Sequence, residues 1–167
     1  NDYFNAVNLT AEPNFKPAKG YALRAEDGLP YGYSKTYEFT GTPNNGIKTI
    51  GIQRSPDAGT VQHGYNLIGN PYPSNIDFDQ LYAANSANIY KTVWFWVNDS
   101  NVYYQTGSGY TGNGYAVYNG TGGNGGTTDS NPNNGTAPDG IVKVGQGFIV
   151  QMKNPPATNP PALATVS

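Results

Sequence analysis

Apolar and polar positions alternate with a period of two in several short runs, and Gly, Pro and Asn punctuate the gaps between them. Gly20-Tyr-Ala-Leu-Arg24 and Thr36-Tyr-Glu-Phe-Thr40 alternate as half-buried strands do, and Gly41-Thr-Pro-Asn-Asn-Gly46 follows as a turn. Ile47-Lys-Thr-Ile-Gly-Ile52 is a third predicted strand, ended by the turn residues of Ser55-Pro-Asp-Ala-Gly59. Tyr65-Asn-Leu-Ile68 is a short apolar run that stops at Gly69-Asn-Pro-Tyr-Pro-Ser74. Two prolines there fix φ and withdraw two ladder donors.

Asp77-Phe-Asp-Gln80 changes the period. A carboxylate placed to accept first-turn N–H groups, with Gln three residues on, predicts one short helix over Phe78–Ala84, with Asn85 as its far cap. Thr92-Val-Trp-Phe-Trp-Val97 is the strongest strand signal, with Trp94 and Trp96 on one face and Val93, Phe95 and Val97 on the other. Both faces are apolar, which predicts a central strand whose tryptophans fill the core. Tyr103-Tyr-Gln105 and Tyr115-Ala-Val-Tyr118 read as further strands. Gly120 to Gly140 is a long loop of Gly, Thr, Asn and Asp with little to bury. Ile141-Val-Lys-Val144 and Phe148-Ile-Val-Gln-Met152 bracket Gly145-Gln-Gly147 as paired strands or as one strand broken by a bulge. After Lys153, Asn-Pro-Pro-Ala-Thr-Asn-Pro-Pro favours extended polyproline geometry, as a linker or an ordered edge.

Composition agrees with the pattern. The 167 residues include 22 Gly, 13 Pro and 14 Tyr with 12% charged residues, a mixture suited to turns and aromatic strands and poor in helix formers. The expected fold is all-β, an antiparallel β-sandwich of jelly-roll or immunoglobulin-like kind with one short helix. Residues 1–18 read as an N-terminal segment or linker, 19–153 as the sandwich module, and 154–167 as a Pro-rich tail or linker. Lys19-Gly-Tyr-Ala-Leu-Arg24 and Gln146-Gly-Phe-Ile-Val-Gln151 echo each other and hint at related halves.

Charge and residue inventory narrow the function classes. The formal net charge is −2, and nine basic residues scattered from Lys16 to Lys153 form no cluster for a phosphate backbone, so no nucleic-acid partner is expected. No apolar run reaches the roughly 20 residues of a membrane span, and Asn1-Asp2-Tyr3-Phe4 has no export-signal character; any such signal lies outside this sequence or has been removed. With no Cys and a single His, His63, thiolate sites and His-based triads are unavailable.

Asp77 and Asp79 are explained by a helix start more simply than by acid–base catalysis, and no catalytic residue is assigned. Asp129-Ser-Asn-Pro-Asn-Asn-Gly135 alternates oxygen donors as a calcium loop does, which makes Asp129, Asn131, Asn133 and Asp139 candidate calcium ligands. The spacing departs from an EF-hand, and a solvated loop without cofactor is the competing reading. The remaining recognition feature is aromatic: Tyr103, Tyr104, Tyr110, Tyr115 and Tyr118 carry polar tips and rings suited to stacking on sugars or proteins.

Gly64-Tyr-Asn-Leu-Ile-Gly-Asn-Pro-Tyr-Pro-Ser-Asn-Ile-Asp77 resembles a motif of large secreted and cell-surface proteins of Bacteroidota that end in a type IX secretion sorting domain. Lys19-Gly-Tyr-Ala-Leu, Phe39-Thr-Gly-Thr-Pro-Asn-Asn-Gly46, Val93-Trp-Phe-Trp-Val97 with Tyr115-Ala-Val-Tyr-Asn-Gly120, and Gly145-Gln-Gly-Phe-Ile-Val150 follow in that family's order. The resemblance spans roughly residues 19 to 152. It implies extracellular location and an all-β module lying just ahead of a sorting domain. Together these readings lead to the expectation of a non-catalytic binding or adhesion module of a larger surface or secreted protein, taking a glycan or protein ligand. The alternative is a stalk or filament subunit that associates with further copies of itself through aromatic and Pro-rich surfaces.

Overall fold

A computed structural model describes residues 7–23, 36–56, 62–96, 105–106, 109–110, 115–125, 137–153 and 162–166. Its strands are β1 (Ile50–Arg54), β2 (Tyr65–Gly69), β3 (Ile76–Asp77), β4 (Ile89–Trp96), β5 (Gln105–Thr106), β6 (Gly109–Tyr110), β7 (Tyr115–Tyr118), β8 (Gly123–Asn124), β9 (Ile141–Val142), β10 (Gly147–Met152) and β11 (Ala162–Val166). One helix, α1 (Phe78–Asn85), follows β3 directly. Every strand pairing is antiparallel. The expected all-β, sandwich-like fold with one short helix is what forms.

One layer is a five-stranded sheet in the order β2-β10-β4-β7-β8. The other is assembled from the β1–β11 ribbon, the β3–β9 ribbon and α1. Both layers meet in one core, where Val93, Phe95, Ala116, Phe148, Val150 and Ile68 of the sheet pack with Ile52 of β1, Val142 of β9 and Phe78 of α1. β4 is central, as its two apolar faces predict.

The faces, however, are used the other way round. Val93 and Phe95 are buried, whereas Trp94 is half-buried and Trp96 is 51% exposed, so the tryptophans do not fill the core. Alternation fixes which residues share a face; it cannot say which of two apolar faces the second layer will cover. Register decides it here. Val93 lies opposite Val150 and Tyr118, and Phe95 opposite Ala116, which gathers the aliphatic residues of three strands on the side where Phe78 arrives.

Helix α1 starts as its sequence predicts. Asp77 is extended and its Oδ1 accepts N–H bonds from Asp79 at 2.8 Å and Gln80 at 3.4 Å, while Phe78, the first helical residue, is fully buried. The far end differs: Ser86 is the cap, and Asn85 is a buried last-turn residue whose amide donates to Leu81 O at 2.8 Å.

Two other differences have physical causes. Residues 141–144 and 148–152 do not pair with one another. β9 leaves the turn at Gly145 (φ +70) to pair with β3, and β10 enters the main sheet between β2 and β4. The bulge is in the β10–β4 ladder, between Val150 and Met152. Residues 20–23 and 36–40 form no strand; the former segment touches the sheet through one bridge, Lys19 to Ile68. A Cβ on Gly20 would lie 2.5 Å from Leu67 Cγ and 2.9 Å from the Ile68 carbonyl, so only glycine lets the chain cross β2 this closely. Beyond it, Tyr21 and Phe39 pack on Phe15, with ring centroids 4.8 and 5.7 Å from that ring. The two echoing segments therefore flank β2, one by a bridge and one by a ladder.

The Asn-Pro-Tyr-Pro turn is organised chiefly by the Asn70 amide, with Asn44 Nδ2 donating to Pro71 O at 3.0 Å. Asn70 Nδ2 donates to Ser74 O at 2.8 Å and Lys143 O at 3.1 Å, its Oδ1 accepts from Tyr72 N at 2.9 Å, and its backbone N donates to Gln146 O at 3.0 Å. Tyr72 extends the network, donating to Gly46 O at 2.9 Å and accepting from Lys48 N at 3.1 Å. Because Asn70 is buried, a carboxylate in its place would face carbonyl oxygens with no donor to offer. Asn70→Asp is expected to destabilise the fold by about 3 kcal/mol, read as a lower midpoint in urea unfolding. A change below about 0.5 kcal/mol would show that the turn holds without it.

Candidate functional site

The face of the five-stranded sheet turned away from the core is aromatic. β2 contributes Tyr65 and Leu67, β10 Ile149, β4 Trp94 and Trp96, and β7 Tyr115 and Val117. Strand pairing aligns Leu67, Ile149, Trp94 and Val117 across four strands, and Trp96 stands directly opposite Tyr115. Two edge-to-face pairs flank this row: Tyr65 with Trp94 at 5.3 Å and 78°, and Trp96 with Tyr115 at 5.0 Å and 75°. Tyr65 and Trp96 are the most exposed of the set, at 42% and 51%. None of the seven side chains is charged.

The core-facing side carries a different cluster. Tyr118 alternates with Val117, so its ring packs edge-on against Phe78 at 6.3 Å and its hydroxyl donates to Asp79 Oδ2 at 2.9 Å. Lys91 Nζ lies 3.2 Å from the other carboxylate oxygen and 5.8 Å above the Tyr82 ring. The Tyr118 hydrogen bond first, and Lys91 second, hold the Asp79 carboxyl below the ordinary carboxylate range. The same bond, then burial, then the nearby carboxylates of Asp79, Asp77 and Asp139, push the Tyr118 hydroxyl up. These residues brace α1 against β4 and β7.

Of the five tyrosines singled out from the sequence, the structure thus places Tyr115 on the aromatic face and Tyr118 on the opposite one. The strand β6 includes Tyr110, whose side chain lies outside the described residues, as do Tyr103 and Tyr104 altogether. Sequence reasoning passed over Tyr65, Leu67, Val117 and Ile149. The signal available was their shared parity with Trp94 and Trp96 once the strands are aligned, which needs the register.

Of the calcium candidates, Asp129, Asn131 and Asn133 lie outside the described residues. Asp139 uses its Oδ1 to accept from Ile141 N at 3.0 Å, an Asx turn leading into β9. Among the described residues no three His, Cys, Asp or Glu side chains converge on a possible metal position. Asp77 is committed to capping and Asp79 to Tyr118 and Lys91.

A second carboxylate, Glu12, ties the N-terminal segment together. It pairs with Lys19 at 2.8 Å and Lys16 at 3.0 Å and accepts the Tyr21 hydroxyl, which lowers its pKa to about 2 through Lys19 first, then Tyr21 and Lys16.

These shifts set the pH response. Asp79 and Glu12 have folded pKa values below their unfolded ones, so their contribution is present above the unfolded value and lost as pH falls through the folded one. Tyr118 is raised, so its contribution is full below its unfolded value near about 10 and lost as pH climbs through the folded value. Tyr118→Phe is therefore expected to make both the acid and the alkaline limbs of the thermal midpoint against pH shallower, leaving the Glu12 part of the acid limb. Two limbs of unchanged slope would dissociate Asp79 from Tyr118.

The chain matches the family model described as Domain of unknown function (DUF8693) over residues 1–163. No curated protein and no solved structure matches it. With the match spanning nearly the whole chain, this antiparallel sandwich with an aromatic outer face belongs to the DUF8693 family.

Proposed function

We propose that the chain is an extracellular, non-catalytic binding module of a larger surface or secreted bacterial protein, and that it takes a glycan or protein ligand on the outer face of its five-stranded sheet. The observation that carries this reading is the placement of Trp94, Trp96, Tyr65 and Tyr115 on that face while three phenylalanines and aliphatic residues fill the core. Leaving large aromatic rings partly in water forgoes burial that the fold had available, and contiguous exposed apolar surface of this kind marks interaction sites.

The chemistry of the face favours an uncharged ligand. Sugar rings present C–H faces that stack on Trp and Tyr, and these side chains bury large area with few rotors to freeze. A charged ligand would lose hydration against seven uncharged side chains without gaining a partner. Support for the non-catalytic part comes from the two helix-start carboxylates, whose oxygens are already engaged in capping and in the Tyr118 and Lys91 contacts. The extracellular part rests on the motif resemblance that runs from Gly64 to Asp77.

A glycan array with the native chain and the Trp96→Ala and Tyr115→Ala variants tests the reading. Binding to uncharged glycans is expected, with at least a tenfold loss in either variant, as truncation of an aromatic anchor costs about 2 kcal/mol or more. Trp96→Ala should keep its urea midpoint to within about 1.5 kcal/mol, since roughly half the ring is already in water; Phe95→Ala should lose about 3–5 kcal/mol. Binding undiminished in both aromatic variants would move the site elsewhere.

A further inference from the structure

The strands of the five-stranded sheet contain three glycines, Gly69, Gly123 and Gly147, and the fold accounts for two of them. A Cβ on Gly69 would lie 3.0 Å from Lys19 O, and one on Gly123 would run into the backbone of Pro138. Gly147 has no such reason. Its φ is not positive, and a Cβ there would meet Leu67 Cδ1 at 3.6 Å and Ile68 O at 3.7 Å, which are ordinary contacts. Glycine in a strand forgoes side-chain packing and loses more backbone freedom on folding than any other residue, so its use where a Cβ fits points to a close approach from outside.

Gly147 stands where the sheet divides. The ladder between β10 and β4 ends at Ile149 opposite Trp94. Beyond that pair β10 stays with β2 as far as Gly147 opposite Gly69, and β4 stays with β7 as far as Trp96 opposite Tyr115. Gly147 and Trp96 are each two residues past the last shared pair, so both lie on the outer face and stand across the fork from one another. Gly147 is half-buried and Trp96 exposed, which leaves the recess between them open to solvent. The backbone phase adds polar groups to it. Asn70 N donates to Gln146 O and Gly69 N to Ala18 O, the bonds that flank a non-hydrogen-bonded pair, so the N–H and C=O of Gly147 are turned from β2 toward the fork.

We infer that Gly147 is a ligand-contact residue, over whose bare backbone one sugar ring of an uncharged glycan lies, with Trp96 as the wall of the recess. The inference rests on the outer face being the binding site proposed above, and it specifies where on that face the ligand comes closest. A side chain at position 147 would fill the space between Leu67 and Trp96. A sugar ring suits this recess because its C–H faces meet Leu67 and the indole while its hydroxyls meet the peptide group of Gly147. An apolar side chain of a protein ligand would cover that peptide group without bonding it.

The test titrates the native chain and the Gly147→Ala, Gly147→Val and Trp96→Ala variants with the uncharged oligosaccharides that the native chain takes from a glycan array. Gly147→Ala is expected to keep or raise the urea midpoint, because its Cβ meets only ordinary contacts, while affinity falls severalfold. Gly147→Val, a better strand former, is expected to hold the midpoint and to lose about tenfold or more in affinity. A lower midpoint in Gly147→Ala would show that the fold itself needs glycine here and would overturn the inference. Should the valine variant be less stable, the alanine variant decides, and unchanged affinity in it overturns the inference. Native affinity in Gly147→Val together with a loss in Trp96→Ala overturns it while leaving the outer face as the site. A native chain that takes no uncharged glycan, or that takes a protein on this face instead, overturns the choice of occupant. Glycan binding at full affinity after Trp96→Ala overturns the recess and the outer-face site together.

Discussion

The packing of Phe78 against Val93, Phe95 and Phe148 organises the rest of the molecule. It joins the first residue of the helix to β4 and β10 of the sheet, and each of these side chains is buried. The cap at Asp77 and the bond from Phe78 N to Gly140 O at 2.9 Å place the ring at that point. Once that side of β4 is chosen as the interior, the period of two sends Trp94 and Trp96 outward, and with them Tyr65 and Tyr115. Core and candidate site are therefore two consequences of one choice of face.

Side-chain amides do much of the work that regular ladders do elsewhere. Asn70 holds a turn in which two prolines have withdrawn backbone donors, and besides Ser74 O its acceptors Lys143 O and Gln146 O come from residues more than seventy positions away. Asn66 stands in for a strand along β1. Gly64, at φ +89, allows Arg54 and the Met152 carbonyl to approach to 2.8 and 3.0 Å of where a Cβ would sit. The motif around Gly64–Ser74 is thus a structural device that fastens β2 to β1, β10 and the turn before β10, which accounts for its composition without assigning it any chemistry.

Much of this architecture is legible in the sequence. Asp77 with its Gln three residues on marks the helix start, Thr92–Val97 marks a central strand, and Tyr115–Tyr118 marks its neighbour, because capping and alternation are local and act through a few adjacent residues. The segments at 20–23 and 36–40 show where local alternation is insufficient. A strand also requires a free partner edge, and β2 offers that side only one bridge, crossed at Gly20.

Local pattern along the chain sets which residues travel together: which side chains share a face, where the helix begins, where prolines stop a ladder. Tertiary structure alone decided which face is inside, that Tyr118 serves Asp79 while Tyr115 borders Trp96, and that residues 162–166 return to β1. The physical reason is that backbone geometry has a fixed period but no sense of inside and outside. That sense comes from the partner layer, and the partner layer is assembled from residues far along the chain.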